Sequence, residues 1–339
     1  MRILLGISGG FDSAAAAHKL VAEGHTVEGA VIVMHEYTDT AAAALACERL
    51  GIPLHVIDAK EAFENKVKKT FVSEYKNGRT PNPCVICNRE VKLEALMSYA
   101  VEHGFDRMAA GHYARVLKNG DVYCVGIARD AEKDQSYMLS RLSQEQLAFL
   151  VLPLCNEVKS DLREGARNTG APLPEAKDSQ EICFVPDNDH AAYVEARIGK
   201  MPEGLFLDKD GNALGRHKGL CHYTVGQRKG LGIALGKRMF VTEIDPLENT
   251  VTLTEEGRIS SHVELSDPVY SGFIPGSGAP KTMHAEVKIR YKSPMYHARV
   301  TFAENEITLD FDSPVKGAAP GQTAVIYLNG VILASGFIR

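Results

Sequence analysis

Five short stretches carry residue types whose spacing suits chemistry. The first, ISGGFDS at residues 7–13, follows an apolar run and precedes alanines that read as a helix. Glycines let backbone amides approach an anion closely, and a helix start adds unpaired N–H groups and a partial positive charge. Ser8 and Ser13 add hydroxyl donors, so Gly6, Ile7, Ser8, Gly9, Gly10, Phe11, Asp12 and Ser13 read as a phosphate cradle. Asp12 is out of place beside phosphate unless a cation lies between, which implies Mg2+. The segment fits neither the Walker A pattern nor G-x-G-x-x-G, which weighs against a P-loop NTPase and a dinucleotide fold. A plain helix cap made by Asp12 or Ser13 is the bland alternative.

The second stretch is TPNPCVICNRE, residues 80–90. Each proline biases its predecessor to extended geometry, so Thr80–Pro83 are expected outside any helix. A helix expected from about Asn88 would put Cys87 at its N-terminus, where the dipole favours thiolate, and Arg79, Arg89 and Lys92 would push the same way. Half of a structural zinc site competes, but the chain has no second C-x-x-C or C-x-x-H. The third stretch, KDSQEICFVPD (177–187), carries Cys183, which on its own reads as core, and the fourth is KDQSYML (133–139). The fifth, HKGLCHYTVGQRKGLGI (217–233), sets basic residues and histidines among glycines, which suits contact with a polyanion or a plain solvated loop.

Elements must position these stretches. Residues 2–7, 26–33, 54–57 and 107–110 read as strands, alternating with helices over 12–23, 40–50, 61–76 and 88–103. That alternation implies an α/β fold with a parallel sheet covered on both faces and ligands beyond the strand ends, where residues 8–13 and 111–113 fall. After about residue 200 short strands take over, at 239–244, 250–254, 284–290, 297–302, 306–311 and 323–328, which suggests small all-β domains. The expected division is 1–200, 201–260 and 261–339.

A chain of 339 residues calls for two or three domains. With 45% hydrophobic and 24% charged residues the composition is that of a soluble globular protein. The net charge of −5 leaves nucleic-acid binding to local basic patches. No apolar run reaches the ~18–20 residues that span a bilayer, and MRILLGISGG reads as a buried strand rather than a signal peptide. A cytoplasmic protein without membrane contact is expected. Seven cysteines in a long chain disfavour a disulfide framework. Cys47, Cys124, Cys155 and Cys221 have no partner motif and are expected to be inert.

The S-G-G-x-D-S string resembles the pyrophosphate loop of the N-type ATP pyrophosphatases, which split ATP between its α and β phosphates and transfer AMP to a substrate oxygen. Taken with T-P-N-P-C-x-x-C-N, G-H-Y-A-R, K-D-Q-S-Y, D-S-x-x-I-C-F, Y-T-x-G-Q-R-K-G-L-G-I, R-Y and P-G-Q in this order, essentially the whole chain resembles the tRNA-specific 2-thiouridylases. The resemblance implies a parallel-sheet ATP-pyrophosphatase domain followed by two small β domains. It implies ATP-dependent 2-thiolation of the wobble uridine of tRNAs for Lys, Glu and Gln, by adenylation of uracil O2 and sulfur attack at C2. Gly6 to Ser13, Ile32 (where the family often has Met) and Gly111 would bind ATP; Asn82, Pro83 and Cys84 would meet the target base. Lys133, Asp134, Gln135, Arg290 and Tyr291 would contact tRNA.

For sulfur, the resemblance implies two routes. In one, Cys87 is the nucleophile and Cys183 the persulfide carrier, loaded by a cysteine desulfurase or sulfur-relay protein, and a Cys87–Cys183 disulfide is left to be reduced. In the other, Cys84, Cys87 and Cys183 hold a 4Fe–4S cluster with one iron open to hydrosulfide. Three departures stand out: Phe11 replaces a small aliphatic residue, Gln180-Glu181 replaces Thr-Gly, and the segment after Met34 is short. Two other functions compete: a ligase of the same fold acting on a small molecule, and a non-catalytic tRNA-binding module. The module would not need Asp12 in the loop.

Overall fold

The computed structural model describes residues 1–169, 171, 173–174, 181–273 and 281–339. Its first sheet is parallel, with β1 (Arg2–Gly6), β2 (Thr26–Val33), β3 (Leu54–Asp58), β4 (Arg107–Ala110) and the short β7 (Leu150–Val151) in the order β3-β2-β1-β4-β7. Side chains alternate across it. Ile3, Leu5, Val27 and Ala109 pack on the alanine face of helix α1 (Phe11–Ala22), while Leu4, Ala30 and Met108 pack on Leu93, Leu96 and Ala100. Helix α2 (Thr40–Leu50) ends on Gly51 at φ 66°, the left-handed position glycine fills without strain.

Two long helical runs differ from regular α-helix. Residues 60–76 contain a π turn at Glu64–Lys68, and residues 83–102 contain one at Asn88–Lys92. Such turns interrupt the i→i−4 ladder and occur often at functional sites. The second run starts at Pro83, earlier than the sequence suggests. Proline is well tolerated at the first helical position, and the Asn82 side chain caps the end by accepting from Cys84 N at 3.2 Å.

The hairpin β5 (Arg115–Asn119) and β6 (Val122–Gly126) leaves this layer and joins the C-terminal sheet through Val331↔Gly126. In the middle of the chain, β8 (Gly204–Leu207), β9 (Ala213–His217), β10 (Phe240–Asp245) and β11 (Thr250–Thr254) form a sheet ordered β10-β11-β8-β9. The strands β12 (Ile259–Tyr270), β13 (Thr282–Lys288), β14 (Tyr296–Phe302), β15 (Glu306–Lys316), β16 (Thr323–Leu328) and β17 (Val331–Ile338) close on themselves through the β12–β17 pairing. Closure removes the exposed edges that an open sheet would carry. Among the described residues no helix is long and apolar enough to cross a membrane.

The barrel is tied to the first layer at the cysteine stretch. Thr80 N donates to Pro320 O at 2.8 Å, and Gln322 Nε2 donates to Thr80 O at 2.8 Å. Gly321 sits between them at φ +89°, where a Cβ would lie 3.0 Å from Thr80 N. Farther along, Tyr137 OH donates to Thr323 O at 2.7 Å and Arg141 pairs with Asp267 at 2.6 Å. The P-G-Q string is therefore a clamp on the segment that presents Cys84.

Candidate active site

The phosphate loop joins β1 to α1. Gly10 is extended (φ −82°, ψ 165°), Phe11 opens the helix, and no side chain caps it. The expected cap by Asp12 or Ser13 is thus absent. Ser13 instead turns inward, where its hydroxyl donates to Gly10 O at 3.1 Å and accepts from Ser8 N at 3.2 Å. The uncapped helix start faces outward, the arrangement that binds anions. Gly9 has φ +78°, and a Cβ there would lie 2.5 Å from the Ala42 backbone. A Cβ on Gly111, at the end of β4, would lie 2.8 Å from the Asp12 backbone. Both glycines are required by close approach. Ile7 is buried with Val31 and Cys47, and the Phe11 ring is buried with the Arg163 guanidinium 4.8 Å from its centroid. The departure at Phe11 is thereby a packing contact.

Asp12 is held from two sides: Lys159 Nζ donates to its Oδ2 at 2.6 Å and Tyr113 OH to its Oδ1 at 3.0 Å. Lys159 is buried, while the Asp12 side chain keeps 32% of its surface exposed. Lys159 begins the helix Lys159–Thr169, and its own amide donates to Asp130 Oδ2 at 2.9 Å. Lys159 is a residue the sequence reading missed; Tyr113 was placed at the strand end without a role. They reach Asp12 only through the fold, since 147 residues separate Lys159 from it. A partly exposed carboxylate at an anion cradle is a fitting Mg2+ donor set, because Mg2+ takes one or two carboxylates plus phosphate oxygens.

Ile32 is half-buried at the end of β2, and two residues on Met34 places its sulfur 3.6 Å from Cys87 Sγ. Cys87 is buried, whereas Cys84 and Cys183 are exposed. Cys87 closes the segment Pro83–Cys87 instead of opening a helix, so the expected dipole effect falls away. Burial pushes its thiol up to about 12 against the pull of Lys92, and burial also raises the Cys84 and Cys183 thiols. Arg79 pairs with Glu74 and Arg89 with Glu90; Lys92 is the cation that all three thiols feel, and Cys183 feels Lys68 as well. Burial opposes the Lys92 charge, but Cys87, Cys84 and Cys183 outweigh it and its pKa is raised. The three thiols thus share one electrostatic neighbourhood, a donor set that also suits iron–sulfur ligation. All seven cysteines are free thiols.

His112, one residue beyond Gly111, shares the Lys92 field. Burial, then Lys92, lowers its pKa to about 4, and its Nδ1 is buried with no hydrogen-bond partner among the described residues. The G-H-Y-A-R string signalled this histidine without giving it a role.

The residues expected to touch tRNA divide in two. Asp134 is buried, and its carboxylate accepts from Ala128 N (3.0 Å) and Ser136 Oγ (2.7 Å). Gln135 exchanges two bonds with the Tyr113 backbone (2.7 and 3.0 Å), and Tyr291 OH donates to Asp134 O at 3.2 Å. These three brace the Asp12 site from behind. Lys133 is half-buried and Arg290 exposed, as cations facing a polyanion would be. In the fifth stretch His217 is buried, and Lys218, Arg228 and Lys229 are exposed. Asp178, Ser179 and Gln180 lie outside the described residues.

Comparison with known proteins agrees with this geometry. Residues 1–187 match the family described as tRNA methyl transferase HUP domain, 191–255 its PRC-barrel domain, and 263–338 the aminomethyltransferase beta-barrel domain. The chain is 36% identical over 355 residues to a tRNA-specific 2-thiouridylase MnmA of Clostridium acetobutylicum, covering 100% of this chain and 99% of the relative. It is 40% identical over 348 residues to tRNA-specific 2-thiouridylase MnmA 2 of Clostridium botulinum strain Langeland, covering 99% and 98%. An anion cradle, a thiol group and this full-length similarity together place the chain in the family of tRNA-specific 2-thiouridylases.

Proposed function

We propose that this enzyme uses ATP to convert the wobble uridine of tRNAs for Lys, Glu and Gln to 2-thiouridine. One observation carries the reading. The anion cradle and the thiols lie in one neighbourhood: a Cβ on Gly111 would meet the Asp12 backbone at 2.8 Å, His112 beside it shares the Lys92 field with Cys84, Cys87 and Cys183, and Met34, just past the end of β2, has its sulfur 3.6 Å from Cys87 Sγ. A methyl transfer, which the description of the matching families suggests, needs neither a phosphate cradle nor grouped thiols. A ligase for a small molecule would not need the exposed cations on the middle domain. For organisation we take three units, 1–200, 201–260 and 261–339.

In the first half-reaction uracil O2 attacks the α phosphorus and pyrophosphate leaves into the Ser8–Ser13 loop. Backbone amides and the helix start meet the developing charge without reorganising. Asp12 is the carboxylate that would hold Mg2+, and the ion would supply positive charge beside the departing pyrophosphate. Lys159 and Tyr113 hold that carboxylate in place before nucleotide arrives. Asn82, Pro83 and Cys84 frame the base, and neutral His112 is a hydrogen-bonding group that does not add charge there.

In the second half-reaction the exposed Cys183 carries sulfane sulfur as a persulfide received from a cysteine desulfurase or relay protein. The terminal sulfur attacks C2 and AMP leaves with O2. Cys87, on losing its proton, attacks the Cys183 sulfur; the transferred sulfur keeps the electron pair of the broken S–S bond and becomes the thiocarbonyl. The Cys87–Cys183 disulfide formed is reduced by an external thiol. Cys84 supports a second route, since it is exposed and shares the Lys92 field. There Cys84, Cys87 and Cys183 would hold a 4Fe–4S cluster that supplies bound hydrosulfide. Cys84→Ala separates the two routes: it keeps thiolation in the persulfide route and loses iron and thiolation together in the other. The reading as a whole is tested by incubating unmodified tRNA with ATP and a sulfur donor and identifying the nucleosides by mass spectrometry. Formation of 2-thiouridine only when ATP is present supports it; no thionucleoside under either sulfur supply overturns it.

A further inference from the structure

Away from the active-site thiols, one set of His, Cys, Asp or Glu side chains among the described residues brings its ligand atoms all within 4.8 Å of one another: Glu195, Cys221 and His222. Glu195 projects from the helix His190–Ile198, and Cys221 and His222 from the turn Leu220–His222 that enters the middle β region. His222 Nε2 lies 3.3 Å from Glu195 Oε1. That is about the edge length of a tetrahedron built on metal bonds of about 2.0–2.1 Å.

Cys221 is fully buried and faces the carboxylates of Glu195 and Asp189. Asp189 caps its helix through Ala192 N at 2.9 Å, and Glu195 also accepts from Met201 N at 3.3 Å. Among the described residues neither carboxylate is paired with a lysine or arginine. His190 stacks on Tyr75 at 4.8 Å, feels the charge of His222, and leaves its Nε2 buried with no hydrogen-bond partner. A buried imidazole nitrogen without a partner needs an explanation.

We propose that Glu195, Cys221 and His222 form a zinc site that staples the helix following Cys183 to the middle β domain. Mixed sulfur, nitrogen and oxygen ligands select Zn2+ over Mg2+ or Ca2+, which take oxygen alone. Binding exchanges the Cys221 proton for the metal and releases it to solvent. His222 binds through Nε2 and keeps its proton on Nδ1, and a water completes the tetrahedron. The burial of Cys221 among Phe71, Tyr75 and Val194 makes the site structural, closed to substrate.

The test uses the full chain carrying Cys84→Ser, Cys87→Ser and Cys183→Ser, so that the active-site thiols cannot bind metal. It is titrated with Co2+ and then Zn2+. One equivalent of Co2+ with thiolate-to-cobalt charge transfer and tetrahedral visible bands is expected, displaced by Zn2+, which raises the unfolding temperature. Adding Cys221→Ser removes the charge-transfer band, and His222→Asn or Glu195→Gln weakens binding at least tenfold. Absence of the band in the parent chain overturns the proposal, as does an unchanged band in the Cys221→Ser chain. Should that variant not fold, the half-exposed His222 decides: unchanged affinity in His222→Asn overturns the site.

Discussion

The phosphate loop and the helix start that carries Cys84 and Cys87 lie near each other but are built on opposite plans. At Ser8–Ser13 polarity comes from the backbone: glycines, an uncapped helix start, and one carboxylate already met by Lys159 and Tyr113. That loop is set for an anion before any ligand arrives. At Cys84–Cys87 polarity comes from side chains, and burial holds the Cys87 thiol at about 12 with Lys92 pulling against it. That loop keeps its nucleophile protonated at rest. On the proposed reading, adenylation is the prepared step and sulfur transfer waits for a change at Cys87.

The strongest way to break this contrast is to remove the sulfur side alone. Cys87→Ser and Cys183→Ser are expected to abolish thiolation while tRNA-dependent pyrophosphate release continues. Loss of pyrophosphate release in both would show that the two loops are one unit. Removing the other side, Asp12→Asn is expected to slow pyrophosphate release on the order of 10²–10³-fold, the scale of losing one preorganised electrostatic group. Filter binding to tRNA should not change, because Asp12 belongs to the proposed nucleotide cradle.

Lys159→Met sharpens the same side. It leaves Asp12 without its cation, and with Asp12 partly solvated the cost is about 1–2 kcal/mol, less than for a fully buried pair. The double variant Asp12→Asn/Lys159→Met should recover part of that stability in urea unfolding and none of the activity. Additive losses would mean that the two side chains do not interact.

The two plans also explain what could be read from the sequence. The cradle was legible because glycine, strand end and helix start are local signals, and β2, α2 and β4 fell at Thr26–Val33, Thr40–Leu50 and Arg107–Ala110 as their patterns indicated. The partners of Asp12 were not legible, since Lys159 and Tyr113 reach it only through the sheet. At the cysteines the residues were legible and their electrostatics were not. The reading placed a helix start at Asn88, but proline at the first helical position moved it to Pro83 and left Cys87 at the segment's end. The hairpin Arg115–Gly126 and the strand Ile259–Tyr270 went unseen because their burial is supplied by the barrel, with little alternation of their own. Asp134 was read as a surface contact, yet a carboxylate with two buried donors is a brace.

Smaller effects probe the cysteine side. Iodoacetamide should modify the exposed Cys84 and Cys183 first, with Cys87 slow and its rate still climbing as pH rises toward about 12. Lys92→Met should slow Cys87 further at fixed pH, by about tenfold for each unit its pKa rises. Faster modification of Cys87 in that variant would reverse the role given to Lys92. A pH effect at His112 probes the same region. Its pKa is lowered from 6.5 to about 4 in the folded chain, so the unfolded state takes up its proton first. Its contribution is intact above pH 6.5, declines as pH falls toward about 4, and levels off below. His112→Gln should flatten that decline, with His35, His190 and His217, lowered in the same direction by burial, keeping the remainder.

The most direct test of coupled adenylation and sulfur transfer is stoichiometry. Unmodified tRNA is incubated with ATP, a radiolabelled sulfur donor and the wild-type chain, and AMP and 2-thiouridine are counted in the same reaction. One AMP for each 2-thiouridine, and neither product without tRNA, is the expected result. Sulfur entering tRNA without AMP formation would contradict the account.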